Sequence, residues 1–275
     1  MNRAAAATAD SGFGRLLRQW RAQRGLSQLE LSVEAGVSSR HLSFVETGRA
    51  QPSREMVLLL ARTLDVPLRD RNDLLVAAGF APVYRRTDLQ SPAMAHVRRA
   101  LDFILRQQEP YPALVLDRHW NVLQANEGSA RVQAHFLDVP AVAALGAPNA
   151  MRLMFHPHAF RPFIVNWEAT AASLIQWLHR DTVGGFGDDE TRALLEELLA
   201  YPDVPRQWRR LDLDASGTPV LPIELSRGQL GLRYFTTLTT LGTPHDITLQ
   251  ELRIESFFPA DEATEAATRR LAEGS

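Results

Sequence analysis

The 275-residue chain lacks several residue types and patterns, and each absence narrows what it can be. It contains no cysteine, which excludes disulfide bonds and thiolate metal sites and fits a reducing compartment. No apolar run approaches the roughly 20 residues that a membrane-spanning helix needs. Lysine is also absent, so all thirty basic side chains are arginines. Residues 1–11 lack the apolar segment of a signal peptide, and we expect a disordered leader there.

The charges that are present are unevenly distributed. Residues 1–86 contain 13 arginines and 8 acidic residues, a net charge of +5, whereas the remainder of the chain carries −7. Hydrophobic residues make up 45% of the chain, which is enough to fill two modest cores. This asymmetry predicts that only the basic residues 1–86, called the head below, bind a polyanion, and that the acidic remainder does not.

The head has the pattern of a run of short helices. We predict a first helix from about residue 13 to residue 24, closed by Gly25 in a left-handed cap. Ser27 and Glu30 have capping-box spacing and predict the start of a second helix. Gly36 ends that helix, and only three residues separate it from the next. So tight a turn containing glycine is typical of a helix-turn-helix.

The third helix has two different faces. At about 100° per residue, Leu42, Val45 and Glu46 lie on one arc and form a core seam. The opposite arc carries Ser39, Arg40, Ser43 and Phe44. Arginine can donate two hydrogen bonds to guanine, and a serine hydroxyl can donate or accept one. An aromatic ring can pack against the thymine methyl group. An ordinary solvated face is the alternative, although such a face would not usually expose a phenylalanine.

The stretch from residue 14 to residue 66 resembles the five-helix DNA-binding domain of Cro- and phage-repressor-type regulators, the XRE family. The resemblance rests on many positions at fixed spacing, among them Leu17, Arg21, Gly25-Leu26-Ser27-Gln28, Ala35-Gly36-Val37-Ser38, Leu42, Glu46, Gly48, Pro52-Ser53 and Leu59. It implies a fourth helix from Ser53 and a fifth ending at Gly79. It also implies a structural pair between Arg21 and Glu46.

The same resemblance assigns DNA-contacting residues. It implies that Gln28, at the start of the second helix, binds a phosphate. It places base contacts on the first turns of the third helix, at Ser38, Ser39, Arg40, Ser43 and Phe44. We further predict phosphate contacts for Arg49 and Arg54, either of which could instead be a plain surface arginine.

A linker and a second domain follow the head. The stretch APVYRRTDLQSP has two prolines and no periodicity, so we predict a linker at 82–91. Ser91-Pro92 then starts an amphipathic helix that ends near Gln108. Two short apolar strands, Ala113–Leu116 and Val122–Ala125, flank a polar turn and predict a hairpin, after which Asn126 could cap a helix.

The middle of the second half is predicted to be helical and its end to be β. Apolar spacing predicts a long helix over 159–180 with Pro162 in its first turn, and Asp188 or Asp189 caps another helix that ends at Ala200. Alternating and Thr-rich stretches predict three antiparallel strands, which are TPVLPIEL, GQLGLRYFTTLTTLG and DITLQELRIESFFP. Two strands, several helices and three strands resemble the order of a PAS sensor domain.

The whole chain, from about Phe13 to Thr264, also resembles the MmyB-like regulators of actinobacteria and other bacteria. The segments that carry this resemblance include QEPYPALVLDRHWNVLQAN, RPFIVNWE, LLAYPDVP and TLGTPHDITLQELRIESFFPAD. These regulators join an XRE head to a PAS-like ligand-binding domain. The resemblance implies control of transcription by an apolar small molecule, such as a fatty-acyl chain.

Several side chains are candidates for contacting that ligand. Arg161 could meet a ligand carboxylate and Asn166 could donate to it, although an internal ion pair and a backbone contact explain them as well. Trp167 and Phe163 lie on the same predicted helix and could border a cavity. Trp120 could form a ligand platform, although a tryptophan is more often part of a core.

Two other classes of function leave little trace in the sequence. His156-Pro157-His158 would suit a metal or haem site, but no acidic residue or cysteine converges on it by spacing, so we predict no metal site and no certain cofactor. Catalytic signatures such as G-x-S-x-G and H-E-x-x-H are missing, and we predict that the chain is not an enzyme.

The sequence therefore predicts a two-domain α+β chain that regulates transcription. The predicted domains are a helix-turn-helix head at 12–81, a PAS-like domain at 92–262 and a C-terminal tail at 263–275. We expect a homodimer bound to double-stranded DNA in the bacterial cytoplasm, at the nucleoid and not at a membrane, with a small apolar ligand in the second domain. The alternative is a DNA-tethered scaffold whose PAS-like half binds a protein partner and no small molecule.

Overall fold

The computed structural model describes residues 12–138, 142, 146–184, 189–210, 222–242 and 244–274. The predicted leader at 1–11, residues 185–188 with the candidate cap Asp188, and the first part of the predicted third strand, residues 218–221, lie outside the described residues. The chain divides into two compact units. Unit 1 comprises residues 1–87 and 243–250, and unit 2 comprises 88–242 and 251–275.

Unit 1 contains the five predicted helices of the head. Serines start three of them, since Ser27, Ser38 and Ser53 each accept a hydrogen bond from a first-turn N–H group. The predicted capping box of Ser27 and Glu30 is present. The helices are α1 (Gly12–Gln23), α2 (Gln28–Glu34), α3 (Ser39–Glu46), α4 (Arg54–Thr63) and α5 (Leu68–Ala77). They enclose a core that includes Leu17, Trp20, Leu31, Leu42, Val57, Leu60 and Leu74.

Unit 2 is built around one antiparallel sheet of five strands in the order β2-β1-β5-β4-β3. The sheet and its helices confirm the predicted α+β class with a PAS-like second domain. The elements in chain order are α6 (Ala95–Gln107), β1 (Ala113–Leu116), β2 (Val122–Ala125), α7 (Glu127–Phe136), α8 (Ala150–Phe155), α9 (Trp167–Gly184), α10 (Asp189–Ala200), β3 (Ile223–Arg227), β4 (Leu230–Thr239), α11 (Ile247–Glu251), β5 (Arg253–Pro259) and α12 (Glu262–Glu273). None of the described helices is both long and apolar enough to cross a bilayer.

The hairpin that opens the sheet has the predicted form. The carboxylate of Asp117 accepts from the backbone N–H groups of His119 and Asn121 at 2.8 and 2.9 Å and so closes the turn. Asn126 caps α7 as predicted, since its Oδ1 accepts from Ser129 N at 3.0 Å. The same atom accepts from Ala113 N at 2.9 Å, so one side chain joins the strand to the helix.

The long predicted helix over 159–180 is wrong at its start. Residues Arg161–Phe163 form a 3-10 turn, and the α-helix begins only at Trp167. Ile164 is extended and bridges Leu225 of β3, and the N–H of Val165 donates to the carbonyl of Glu224 at 2.8 Å. The backbone therefore bonds to the sheet instead of to the next helical turn, and apolar spacing cannot distinguish the two.

Two other expectations are corrected near the C-terminus. The segment before β5 was predicted to be strand, but Ile247–Glu251 is the short helix α11, because Asp246 caps its first turn by accepting from Thr248 N at 2.9 Å. The predicted tail at 263–275 instead contains helix α12. Its residues Thr264, Ala267 and Thr268 are buried, and Thr268 is hydrogen-bonded to the hydroxyl of Tyr234 in β4.

The segment 244–250 packs within unit 1, although β4 and β5 on either side of it belong to unit 2. Asp246 accepts from the hydroxyl of Thr87 at 2.6 Å, and Ile247 N donates to the carbonyl of Arg85 at 2.8 Å. The side chain of Gln250 accepts from Leu68 N, at the start of α5, at 2.7 Å. The predicted linker is thus hydrogen-bonded in unit 1 over its middle residues.

We expect Gly128→Ala to destabilise unit 2. A Cβ at this position in α7 would lie 2.6 Å from the carbonyl oxygen of Pro110 and 2.8 Å from Tyr111, and both contacts are with backbone that cannot rotate away. Such overpacking costs roughly 1–3 kcal/mol. Urea unfolding of the full chain, followed by tryptophan fluorescence, measures the loss.

Gly231→Ala is the matched control for this substitution. A Cβ on Gly231 meets no atom within 4 Å, so we expect its unfolding midpoint to stay near that of the wild type. Equal midpoints for the two variants would contradict the clash that the structure shows at Gly128.

Candidate functional site

The first candidate site is the face of α3 that points away from the core of unit 1. Leu42, Val45 and Glu46 are buried, as the helical wheel predicted. Ser39 and Arg40 are exposed, while Ser43 and Phe44 are half-buried. The guanidinium of Arg40 lies 5.4 Å from the centre of the Phe44 ring, a cation–π distance. The structure therefore places these four side chains together on one side of a short, capped helix.

The orientation of α3 is set by the buried carboxylate of Glu46. Arg21 of α1 donates to its two oxygens at 2.7 and 3.1 Å, in the predicted pair. The side-chain amide of Gln28, in α2, donates to the same carboxylate at 2.6 Å. The Glu46 side chain has 0% of its surface exposed. One carboxylate thus joins three helices, and every one of these hydrogen bonds is charge-assisted.

The remaining predicted DNA-contacting residues lie around α3. The Gln28 amide donates one N–H to Glu46, and an amide nitrogen carries a second N–H. The Ser38 hydroxyl accepts from His41 N at 3.2 Å as the cap of α3, and its own proton remains available as a donor. Arg49 and Arg54 are exposed, one after the end of α3 and the other in the first turn of α4.

The second candidate site is a cavity of about 90 Å³ inside unit 2. Its wall is almost entirely apolar and is drawn from both the sheet and the helices. The lining residues are Pro112, Leu114, Trp120, Val122, Ser129, Val132, Gln133, Ala150, Met151, Leu153, Met154, Phe160, Leu174, Ile223, Leu225, Tyr234, Glu255 and Phe257. Such a wall, with few polar groups, is the usual composition of a small-molecule site.

Glu255 is the one carboxylate among the described lining residues, beside the polar Ser129, Gln133 and Tyr234. It lies in β5 opposite Leu114 of β1 and Leu238 of β4, with apolar strands on both sides. Burial raises the pKa of its carboxyl from 4.5 to about 7, and a hydrogen bond from Thr236 offsets part of that rise. No ion pair involves Glu255 in the part of the chain that the structure describes.

Of the five predicted ligand-contacting residues, the structure places one in the cavity wall. Trp120 lines the cavity and packs edge-on against Trp177, with ring centres 5.3 Å apart. Phe163 lies outside the wall, with the guanidinium of Arg227 4.9 Å from its ring centre. Trp167 also lies outside and packs against Phe155 at 5.0 Å.

Arg161 and Asn166 are engaged by the protein itself. Arg161 donates to the carbonyl of Pro202 at 2.6 Å and lies 4.8 Å from the centre of the Trp167 ring. Asn166 donates to the carbonyl of Pro222 at 2.6 Å and accepts from Glu224 N at 3.1 Å. Neither residue belongs to the cavity wall, because the chain leaves helical geometry at this point to meet β3.

Apart from Trp120, the sequence reasoning missed the wall residues, among them Glu255, Met151 and Met154. No signal for Glu255 was present in the sequence, because in RIESFFP it stands between an isoleucine and a serine and fits an ordinary alternating strand. The methionines gave no signal that separates a cavity wall from an ordinary core. Around His156 and His158, no cluster of three or more metal-ligating side chains forms among the described residues.

The raised pKa of Glu255 predicts a pH-dependent stability. The folded state holds its proton up to a higher pH than the unfolded chain does, so the free energy of unfolding falls between pH 4.5 and about 7. We expect the loss to be smaller than the full shift implies, because Glu255 is only half-buried and solvent screens part of the effect. Urea unfolding at pH 5 and pH 8 measures it.

Glu255→Gln should remove this part of the pH dependence, because an amide does not titrate. Glu262→Gln, at an exposed position in α12, is the matched control and should behave as the wild type does. An unchanged pH profile in Glu255→Gln would show that this carboxyl is solvated.

Comparisons with known proteins were made by family and by structure. Residues 97–271 match the family model described as the MmyB-like transcription regulator ligand binding domain. Residues 17–70 match the helix-turn-helix family model. No curated protein sequence was found to match the chain.

Solved structures with some similarity include two of the clp gene regulator ClgR from Corynebacterium glutamicum. One is 30% identical and covers 26% of this chain and 87% of its own, and the other is 26% identical and covers 37% and 94%, both with a TM-score of 0.23. An RNA-binding Light-Oxygen-Voltage receptor is 15% identical and covers 99% of this chain and 65% of its own, with a TM-score of 0.26. These low TM-scores carry no conclusion about this chain.

The two family matches follow the order of the two units. The helix-turn-helix match lies within unit 1 and contains α3 with its outward face. The ligand-binding-domain match spans more than half of the chain and includes every residue of the cavity wall. The chain therefore belongs to the family of MmyB-like transcription regulators, as a DNA-binding regulator with an N-terminal helix-turn-helix and a C-terminal ligand-binding domain.

Proposed function

We propose that this regulator reads DNA with α3 and that a small apolar molecule, held in the cavity of unit 2, changes its affinity for DNA. The observation that carries the proposal is the apolar cavity inside the family's ligand-binding domain. A fully packed interior would have favoured the alternative, in which this domain is a scaffold for a protein partner. A bound apolar molecule would bury its surface against the wall, at about 25 cal/mol per Å² removed from water.

For DNA binding we propose two sets of contacts. Ser38, Ser39, Arg40, Ser43 and Phe44 would reach base edges in the major groove, because their side chains share the open side of α3. Gln28, Arg49 and Arg54 would fix the head on phosphates without reading sequence. One such head offers few base contacts, so we propose a homodimer on a two-fold-related site, paired mainly through unit 2, in the bacterial cytoplasm where the nucleoid lies.

The size of the cavity bears on the ligand. At about 90 Å³ it is smaller than the engineered cavity of roughly 150 Å³ that binds benzene in another protein. A ligand as long as a fatty-acyl chain would therefore have to displace wall residues. Met151 and Met154 are suited to this, because their unbranched side chains repack at little cost.

Ligand binding in the cavity would influence the DNA-binding unit through the segment that connects β4 and β5. Tyr234 in β4 and Phe257 in β5 line the cavity, and the segment 244–250 between these strands is hydrogen-bonded within unit 1. A ligand that favours one arrangement of the two strands would change how this segment is held. By binding that arrangement better, the ligand would shift the population that is competent to bind DNA.

The proposed DNA contacts predict different effects for two substitutions. Arg40→Ala should relax base preference at one position of the site, because an arginine–guanine contact discriminates by roughly 1–3 kcal/mol. Gln28→Ala should weaken all sites alike. Selection of binding sites from a random DNA library, followed by affinity measurement at fixed salt, separates the two effects.

Arg62→Ala is the control for the loss of one positive charge, since Arg62 is exposed in the last turn of α4 and lies outside the proposed contacts. Equal loss of specificity in Arg40→Ala and Gln28→Ala would contradict the proposed division of roles. An unchanged preference in Arg40→Ala would remove α3 as the reading element.

The ligand proposal predicts a bound molecule in freshly purified protein. Mass spectrometry of an organic extract should find an apolar compound at close to one per chain. Val132→Phe should abolish its retention, because Val132 is buried in the cavity wall and a larger ring would fill the space. Val165→Phe, at a position 65% exposed, should retain it.

An empty extract, together with no thermal stabilisation of the wild type by added aliphatic compounds, would contradict the ligand proposal. A protein partner recovered with the regulator under those conditions would then favour the scaffold.

A further inference from the structure

The wall of the unit 2 cavity holds one hydrogen-bond donor that the described residues leave unused. Trp120 is only 2% exposed, and its Nε1 is buried without a hydrogen-bond partner among the described residues. By contrast, the Ser129 hydroxyl is bonded to the backbone of Ala113, and the Tyr234 hydroxyl is bonded to a threonine of α12. A buried N–H group without an acceptor costs free energy, so its presence in a cavity wall calls for an explanation.

The turn between β1 and β2 holds Trp120 in this position by a strained backbone. Its φ of 67° lies in the left-handed region, which a bulky side chain rarely adopts. Two hydrogen bonds maintain the conformation, since Trp120 N donates to the carbonyl of Asp117 at 3.1 Å and its own carbonyl accepts from Ala150 N at 2.8 Å. Strain of this kind is concentrated at functional sites, where the surrounding structure maintains it.

The indole ring is also fixed by its neighbours. Trp177 packs edge-on against it with ring centres 5.3 Å apart, and the guanidinium of Arg253 lies 5.0 Å from the ring centre. Arg253 donates to Asp181 through Nη2 at 2.8 Å, but its Nη1 is a second buried donor without a partner among the described residues. A positive charge and two unused donors therefore occur together at Trp120.

The other polar groups of the wall do not oppose a ligand that carries an acceptor. The side-chain amide of Gln133 brings further N–H groups to the wall. Burial raises the pKa of Glu255 to about 7, so below that pH its carboxyl keeps a proton and can itself donate. The wall therefore suits a molecule whose apolar body ends in a hydrogen-bond acceptor.

Resting on the proposed function, we infer that Trp120 positions the ligand by donating a hydrogen bond from Nε1 to an acceptor at the ligand's polar end, so that this end lies at the β1–β2 turn. A carboxylate is favoured over a neutral acceptor, because a hydrogen bond to an ionised group is about twice as strong and the Arg253 guanidinium lies nearby. The apolar wall thus selects the body of the ligand, whereas Trp120 selects and orients its end.

The first test observes the hydrogen bond itself, by nitrogen-15 NMR of the full-length protein at pH 6. Each of the five tryptophans has one indole N–H signal, and contacts with Trp177 in nuclear Overhauser spectra assign that of Trp120. Added hexanoate should move the Trp120 proton signal downfield, because the N–H gains an acceptor. Hexane has the same chain length and no acceptor, and should move it much less. A hexanoate shift no larger than the hexane shift would overturn the inference.

Trp120→Phe then tests the energy of the contact, with affinities taken from NMR titrations. Phenylalanine keeps an aromatic ring in the wall and removes the donor, so hexanoate should lose about tenfold or more in affinity, as expected for a hydrogen bond to a charged group. Methyl hexanoate, a neutral acceptor, should lose less than hexanoate, and hexane should lose least.

Trp167→Phe is the matched control, since it makes the same chemical change outside the cavity wall. It should leave all three affinities as they are in the wild type. Equal losses for hexanoate and hexane in Trp120→Phe would overturn the inference, because the variant would then have removed only apolar contact.

Failure of the underlying proposal has a different signature. If none of the three probes binds to the wild type, or if Val132→Phe leaves their binding intact, the cavity is not the ligand site and the proposed function falls with it. If the probes bind, Val132→Phe blocks them and the Trp120 signal does not distinguish hexanoate from hexane, the cavity site stands and only the role of Trp120 falls.

Discussion

Removing a carboxylate from water costs free energy unless a partner compensates its charge, and two glutamates of this protein differ in that compensation. Glu46 has 0% of its side chain exposed and is held by Arg21 from α1 and Gln28 from α2. Because removing Arg21 would leave the buried carboxylate without its countercharge, this ion pair holds α1 and α3 in one arrangement, and the Gln28 amide adds a hydrogen bond from α2. The outward face of α3, and with it the proposed reading of DNA, depends on that arrangement.

Glu255 has no such cation among the described residues, and its environment instead favours the protonated form. The two carboxyl groups therefore differ in how the cost of their burial is offset: Glu46 keeps a countercharge from its own chain, whereas the proton of Glu255 is retained to a higher pH.

The backbone gives the two halves a common element. Segment 244–250 connects two strands of the sheet, yet its hydrogen bonds to Thr87, Arg85 and Leu68 lie within unit 1. The segment thus belongs to unit 1, whereas β4 and β5, which flank it along the chain, belong to unit 2. Arg161 and Asn166 lie in unit 2, where the chain pairs with β3 before α9 begins.

The sequence by itself determined the features that depend on neighbouring residues. Serine caps, the capping box, the two faces of α3 and the cap at Asn126 follow from spacing along a helix or across a turn, and the Arg21–Glu46 pair followed from the family resemblance. Only the tertiary structure decided the features that depend on distant backbone. The 3-10 turn at Arg161–Phe163, the helical α11 and the packed α12 each satisfy their hydrogen bonds or bury their apolar face against elements far away in sequence. The cavity wall draws residues from most of unit 2. The raised pKa of Glu255 could not be predicted from its neighbours in sequence, because the burial that raises it is a property of the assembled fold.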